Sequence, residues 1–253
     1  GFVGVTNFPE PFNAVTHALA ISGFTSHFNI ASKQDSLVWA PTANVMLNRQ
    51  KINENLFDPA LIISGEDVDF LARNSLQFNE KYISVPKALA VHPWWNNGDV
   101  QTNRMFRYGL GASQIAAKEP VKSYTYRDFT NTVESMLLLI LVLPIALFTG
   151  NGYVVATLMI ALIFLDFVTG WLRAISVGKT YSLAVAWQLL WTKSCFQLGY
   201  LVNSIAQKRI SGFAERTELG FTKPHPSPFR LNRWKIVRIL LLILLTAFLL
   251  IDT

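Results

Sequence analysis

"VESMLLLILVLPIALFTGNGYVVATLMIALIFLDFVTGW", residues 133 to 171, decides how this chain is read. Two apolar runs of about 16 and about 19 residues flank Thr149-Gly150-Asn151-Gly152, and crossing a bilayer core takes roughly 20 residues at about 1.5 Å each. Four turn-forming residues permit only a reversal, so the runs are expected as an antiparallel helical hairpin. Pro144 is tolerable in the first helix if a neighbour satisfies the carbonyl it frees. From Thr132 to Trp171 the only charges are Glu134 and Asp166.

The whole chain is short of charge. Of its 253 residues 15% are charged and 51% hydrophobic, whereas soluble domains carry about a quarter charged residues. The net charge of +6 is lopsided: residues 171–253 hold eleven Lys and Arg against Glu215, Glu218 and Asp252. A basic half interleaved with Leu-rich runs points to anionic lipid head groups, and nucleic acid is the weaker partner. The single cysteine, Cys195, excludes an intrachain disulfide and a cysteine-based zinc site. A start at Gly1 without methionine points to a processed terminus or a piece of a longer product.

Residues 1–130 read as a loop-rich extramembrane region. "NFPEPFN", "ASKQDS", "WAPTAN" and "FDPA" are turn clusters. A short helix is expected over Ala14 to Ile21, stopped near Gly23. A better one lies in "SGEDVDFLARNSLQF", capped by Ser64, with Val68, Leu71, Ala72 and Leu76 on one face. "KYISVPKALAVH" reads as extended segments broken at Pro86, and "PWWNNGD" as a turn exposing Trp94 and Trp95. So many loops suggest a region that folds against a partner or a membrane surface.

Beyond the hairpin, "SLAVAWQLLWTKSCFQLGYLVNSIA" (182 to 206) either spans or lies amphipathically in the interface, with Lys193 and Gln197 on one helical face. A basic loop, 207–235, precedes a last membrane helix within 236–253. The positive-inside rule favours the interfacial placement, which keeps both basic loops on one side. Arg173, Lys179, Lys208, Arg209, Arg230, Arg233, Lys235 and Arg238 are the expected lipid-facing cations.

Asp166 is costly in lipid, so it is expected either to reach the head-group layer or bond a neighbouring backbone, or to pair with Lys193 or Arg173, while Gly170 lets a neighbouring helix approach closely. "LDFVTGWLRAISVGKTYS" followed by "WQLLWTKSCFQLGYLV" resembles the signature of the phage holin and toxin-secretion family. There a membrane helix ends in Asp-x-x-Thr-Gly, followed by an Ala, a short basic loop, a Ser and a helix bearing a Lys. Asp166, Thr169, Gly170, Ala174, Lys179, Ser182 and Lys193 are the matching positions, within residues 133–206. The long N-terminal extension and the last apolar helix depart from that small family.

No catalytic pattern stands out. His17, His27, His92 and His225 are scattered, "YGLGAS" (108 to 113) reads as a turn rather than a phosphate cradle, and Cys195 reads as packing. The expected fold class is thus a mainly α membrane protein: an antiparallel transmembrane hairpin, one or two further membrane helices and a loop-rich N-terminal region of mixed secondary structure. The expected function is a non-enzymatic, holin-like oligomer in a bacterial inner membrane, without cofactor or metal. The alternative is a structural subunit of a larger membrane-embedded phage or secretion assembly, its N-terminal half docking onto partner chains.

Overall fold

The computed structural model describes residues 1–52, 56–61, 63–119, 121–225 and 233–251, the side chains of 233, 234, 250 and 251 excepted. In chain order the main elements are β1 (Phe2–Asn7), α1 (Ala14–Ser22), β2 (Ser36–Leu37), β3 (Val45–Met46), α2 (Glu66–Phe78), β4 (Tyr82–Val91) and α3 (Thr102–Ala116). They continue as β5 (Thr125–Arg127), α4 (Thr132–Phe148), α5 (Gly152–Ser176), α6 (Leu183–Ala206), β6 (Glu215–Thr217) and α7 (Arg233–Ile251).

The N-terminal region is built on a sheet rather than on loops. Its four strands run β2-β4-β1-β3, with β1 and β4 parallel and the edge pairs antiparallel. Val3 and Val5 are buried, as a central strand requires. The β1–β4 register jumps from Gly4↔Val85 to Val5↔Leu89, so Pro86, Lys87 and Ala88 bulge out where proline cannot donate to the ladder. Asn44 plugs the bulge, its Nδ2 donating to Val5 O (3.1 Å) and Ala88 O (2.9 Å).

α2 lays Val68, Leu71 and Ala72 against this core, together with Trp39, Tyr82 and the distant Phe221. It begins after Gly65 in the left-handed region (φ 89°), without a side-chain cap. Ser64, expected as that cap, instead donates to Arg107 O at 2.8 Å. Trp94 and Trp95, expected exposed, are buried with Leu19, Met105 and Cys195. Phe8 stacks on Trp94 at 4.8 Å, and Arg104 lies 5.2 Å from the Trp95 ring centre. The burial comes from residues remote in sequence, which local turn chemistry does not reveal.

The glycine pair of "YGLGAS" lies inside α3 rather than in a turn. A Cβ on Gly109 would sit 2.0 Å from Phe196 O, and one on Gly199 2.0 Å from Phe106 O. The missing side chains on both helices let α3 and α6 cross backbone to backbone. This is the largest helix–helix contact in the fold.

The expected membrane architecture is corrected. α4 and α5 do form an antiparallel hairpin, turning at Gly150 (φ 80°), and α4 runs through Pro144. Among the described residues, however, one helix, α5, is long and apolar enough to cross a membrane. The 17 residues of α4 are too few, at about 25 Å against a core of about 30 Å. α6 is held along much of its length by α3, α5 and α1. α7 spends its first turns on cations, leaving about 13 apolar residues beyond Arg238. The chain is an α+β body from which α4, the first half of α5 and α7 project.

Candidate functional site

Where the projecting helices leave the body, their charged residues gather into one layer. α5 places Asp166 opposite the start of α4, and α6 and α7 bring two cations to it. Asp166 Oδ1 accepts from Lys193 Nζ at 2.7 Å and from Arg238 Nη1 at 3.0 Å, while Oδ2 accepts from the Thr132 hydroxyl. Arg238 also donates to Thr130 O and, at 3.2 Å, to Thr132 Oγ1. Asp166 and Arg238 are each 6% exposed, whereas the Lys193 side chain remains 42% exposed. Lys193 therefore forms the rim of the layer and Arg238 its centre.

Two extensions widen it. Lys235, one turn before Arg238, bonds Asp128 at 2.5 Å. Burial works against the Asp128 carboxylate, but Lys235 and the Thr130 hydroxyl outweigh it and hold the pKa below the ordinary range. Gln197 spans from α6 to the start of α4: its Nε2 donates to Asn131 Oδ1 (3.0 Å) and its Oε1 accepts from Val133 N (3.2 Å).

A second chain of charge runs on the α3 side. Glu134 Oε1 accepts from Arg216 Nη2 at 2.6 Å, and Arg216 lies 4.7 Å over the Tyr200 ring. Tyr200 donates to Glu215 Oε2 (3.0 Å), which Arg209 also holds at 2.6 Å while bonding Ser113 O at 2.8 Å. Burial, with the Glu215 carboxylate beside it, pushes the Tyr200 hydroxyl well above its usual range, so it stays a donor. Each carboxylate in these two networks is matched to a cation. Such an arrangement pins α3, α4, α5, α6 and α7 in one geometry, since removing any one of the carboxylates strands at least one cation.

The structure brings Asp166 and Lys193 together. Gly170 faces Ala186 O and Leu189, where a Cβ would lie at 3.5 and 3.8 Å, so α5 and α6 approach closely there. Thr169 bonds back to Leu165 O (2.9 Å), and Ser182 caps α6 through Val185 N (3.4 Å). Arg173, Lys179 and Lys208 are exposed. Arg209, Lys235 and Arg238, expected to face lipid, are instead held in ion pairs: Arg209 by Glu215 six residues on, Lys235 and Arg238 by Asp128 and Asp166 of distant elements. Arg230 and the side chain of Arg233 lie outside the described residues. Glu134, Arg216, Glu215 and Tyr200 escaped sequence reasoning, although a lone Glu inside an apolar run is itself a signal for a hidden counter-charge.

Beyond the layer the chemistry reverses. Phe148 is 94% exposed, and Leu141, Ile145, Ile160, Leu244 and Phe248 also face outward. α4 and α7 both pack on α5, but among the described residues they barely touch each other. Between them lies an open groove of about 280 Å³. Neither a protein-family model, a curated protein nor a solved structure matches the chain.

Proposed function

We propose that the chain is a non-enzymatic component of a membrane-bound assembly, anchored by dipping the α4–α5–α7 end into one side of a bilayer without crossing it. The observation that carries this reading is the outward-facing apolar surface of all three projecting helices. An exposed patch of that size is abnormal for a free soluble domain. Above Asp166, α5 offers about 14 residues, or about 21 Å, short of the roughly 30 Å core. Below Asp166, Trp171 Nε1 donates to Tyr181 O at 3.0 Å, Trp187 stacks near Trp191 on α6, and Trp191 Nε1 donates to Thr102 Oγ1 at 2.8 Å. Aromatic residues at that depth suit the head-group zone, and exposed Arg173 and Lys179 suit anionic lipid.

Co-flotation of the detergent-free protein with phosphatidylcholine vesicles tests the reading. The native chain is expected to float. Leu141→Asp with Ile145→Asp is expected to stay at the bottom of the gradient, since each buried acid costs about 2.5–3.5 kcal/mol on insertion scales. Equal flotation of both would sink the proposal. A second reading, a holin-like oligomer, draws on the Asp166–Lys193 contact at the positions of the family resemblance. In that case apolar surfaces of several copies cover one another, and added protein releases a dye trapped in the vesicles.

A further inference from the structure

We infer that the groove between α4 and α7 is a site for one anionic phospholipid, an acyl chain lying in the groove and the phosphate meeting Lys193 at its foot. This rests on the membrane-inserted reading above. α5 supplies the groove floor with Leu158 and Leu162, α4 contributes Ser135 and Leu138, and α7 contributes Leu242 and Thr246. Its volume of about 280 Å³ is well above the roughly 10–15 Å³ that a single water needs, so a hydrocarbon chain has room to lie along it. A slot so lined forfeits dispersion contacts when nothing fills it, and a hydrocarbon chain restores them.

The foot of the groove identifies the head group. Leu162 stands one helical turn above Asp166, Leu242 one turn above Arg238, and Ser135 follows Thr132 on the same face. The groove therefore ends on the charged layer about 5 Å below, a step that a glycerol backbone spans. The layer itself is unbalanced. Asp166 and Asp128 face Lys193, Arg238 and Lys235, a surplus of one positive charge, with two of the cations sharing a single Asp166 oxygen. Of the three cations Lys193 is the most exposed, and an ammonium has three protons to donate. A phosphate beside it neutralises the surplus, whereas a choline or ammonium head group next to that phosphate is repelled by it.

The test is native mass spectrometry of the full chain released from mild detergent, with chain-matched phosphatidylglycerol or phosphatidylcholine. One phosphatidylglycerol is expected to remain bound, favoured about fivefold over phosphatidylcholine, and inorganic phosphate is expected not to compete. Leu158→Trp with Thr246→Trp narrows the groove from its floor and one wall, two turns away from the charges, and is expected to abolish the adduct. Lys193→Gln is expected to erase the preference between the two lipids. Equal retention of both lipids by the native chain, competition by phosphate alone, or an adduct that survives the double tryptophan change would each overturn the site. Failure of the native chain to float with phosphatidylcholine vesicles overturns the anchoring reading and the site with it. Flotation without lipid preference overturns the site alone.

Discussion

The body and the projecting end use the same kinds of side chain in opposite ways. In the body Phe70, Leu71, Tyr82 and Trp39 are interior, and the buried polar side chains among them, such as Thr16, Asp69 and Asn74, are short ones. At the end formed by α4, α5 and α7, Phe148, Ile160 and Leu244 face outward, while Asp166, Glu134 and Arg238 are interior. Apolar content does not by itself say which side chains a fold buries. What differs is whether another element of the chain lies opposite. The sheet, α2 and α3 cover one another, whereas α4 and α7 each meet α5 and little else beyond the charged layer.

The bluntest way to break this contrast is to ask whether the body stands alone. Residues 1–125 contain the sheet, α2 and α3, yet their core needs the rest of the chain. Phe221 is part of it and Leu219 packs against it, Trp39 Nε1 donates to Leu219 O at 2.6 Å, and α6 covers α3 at Gly109. Expressed alone, that fragment is expected to show no cooperative thermal transition and little hydrogen-exchange protection. A sharp two-state melt would make the body independent and reduce the helical half to an appendage.

The next effect is smaller and lies on the boundary between the regions. Asp166→Ala leaves Lys193 and Arg238 facing one another without their shared anion, and the expected loss is about 3–5 kcal/mol. It is read from thermal unfolding in detergent. The pair Asp166→Asn with Lys193→Gln still strands Arg238, so it recovers only part of that loss. Adding Arg238→Gln is expected to recover more. Strict additivity of the single changes would show that the three side chains do not act as one cluster.

Some of this was legible and some was not, for identifiable reasons. The α4–α5 turn announces itself through Thr149-Gly150-Asn151-Gly152, and α2 through the spacing of Val68, Leu71 and Ala72. The sheet does not, because β2 and β3 are two residues each and β1 pairs in parallel with a strand some eighty residues away. Asp166 invited a counter-charge, and Lys193 lay within reach of that argument. Arg238 reads in the sequence as a cation at a membrane edge, since its partners Asp166 and Thr132 are 72 and 106 residues distant in sequence. It stands at the start of its apolar run beside Arg233 and Lys235, so nothing in its local sequence singles it out from them. Gly109 and Gly199 each look incidental alone; only their opposition across two helices gives them a purpose.

The smallest expected effect probes the body by itself, away from the projecting helices. Asp67, in the first turn of α2, is half-buried, and this desolvation, reinforced by Glu66, pushes its pKa up to about 6 despite the hydrogen bond from Val68 N at 2.8 Å. A carboxyl with a higher pKa folded than unfolded favours the folded state when protonated. Its contribution is therefore intact below about pH 4 and is lost as pH rises through about 6. Asp67→Asn keeps an oxygen to accept from Val68 N and removes the titration. The variant is expected to match the native chain near pH 4 and to exceed it by about 1–3 kcal/mol at pH 7, since a tenfold difference in proton affinity between the folded and unfolded chain corresponds to about 1.4 kcal/mol. Thermal unfolding at both pH values measures the difference. A variant less stable than the native chain at pH 7 would mean that the ionised carboxylate serves the N-terminus of α2, and that the helix dipole outweighs burial there.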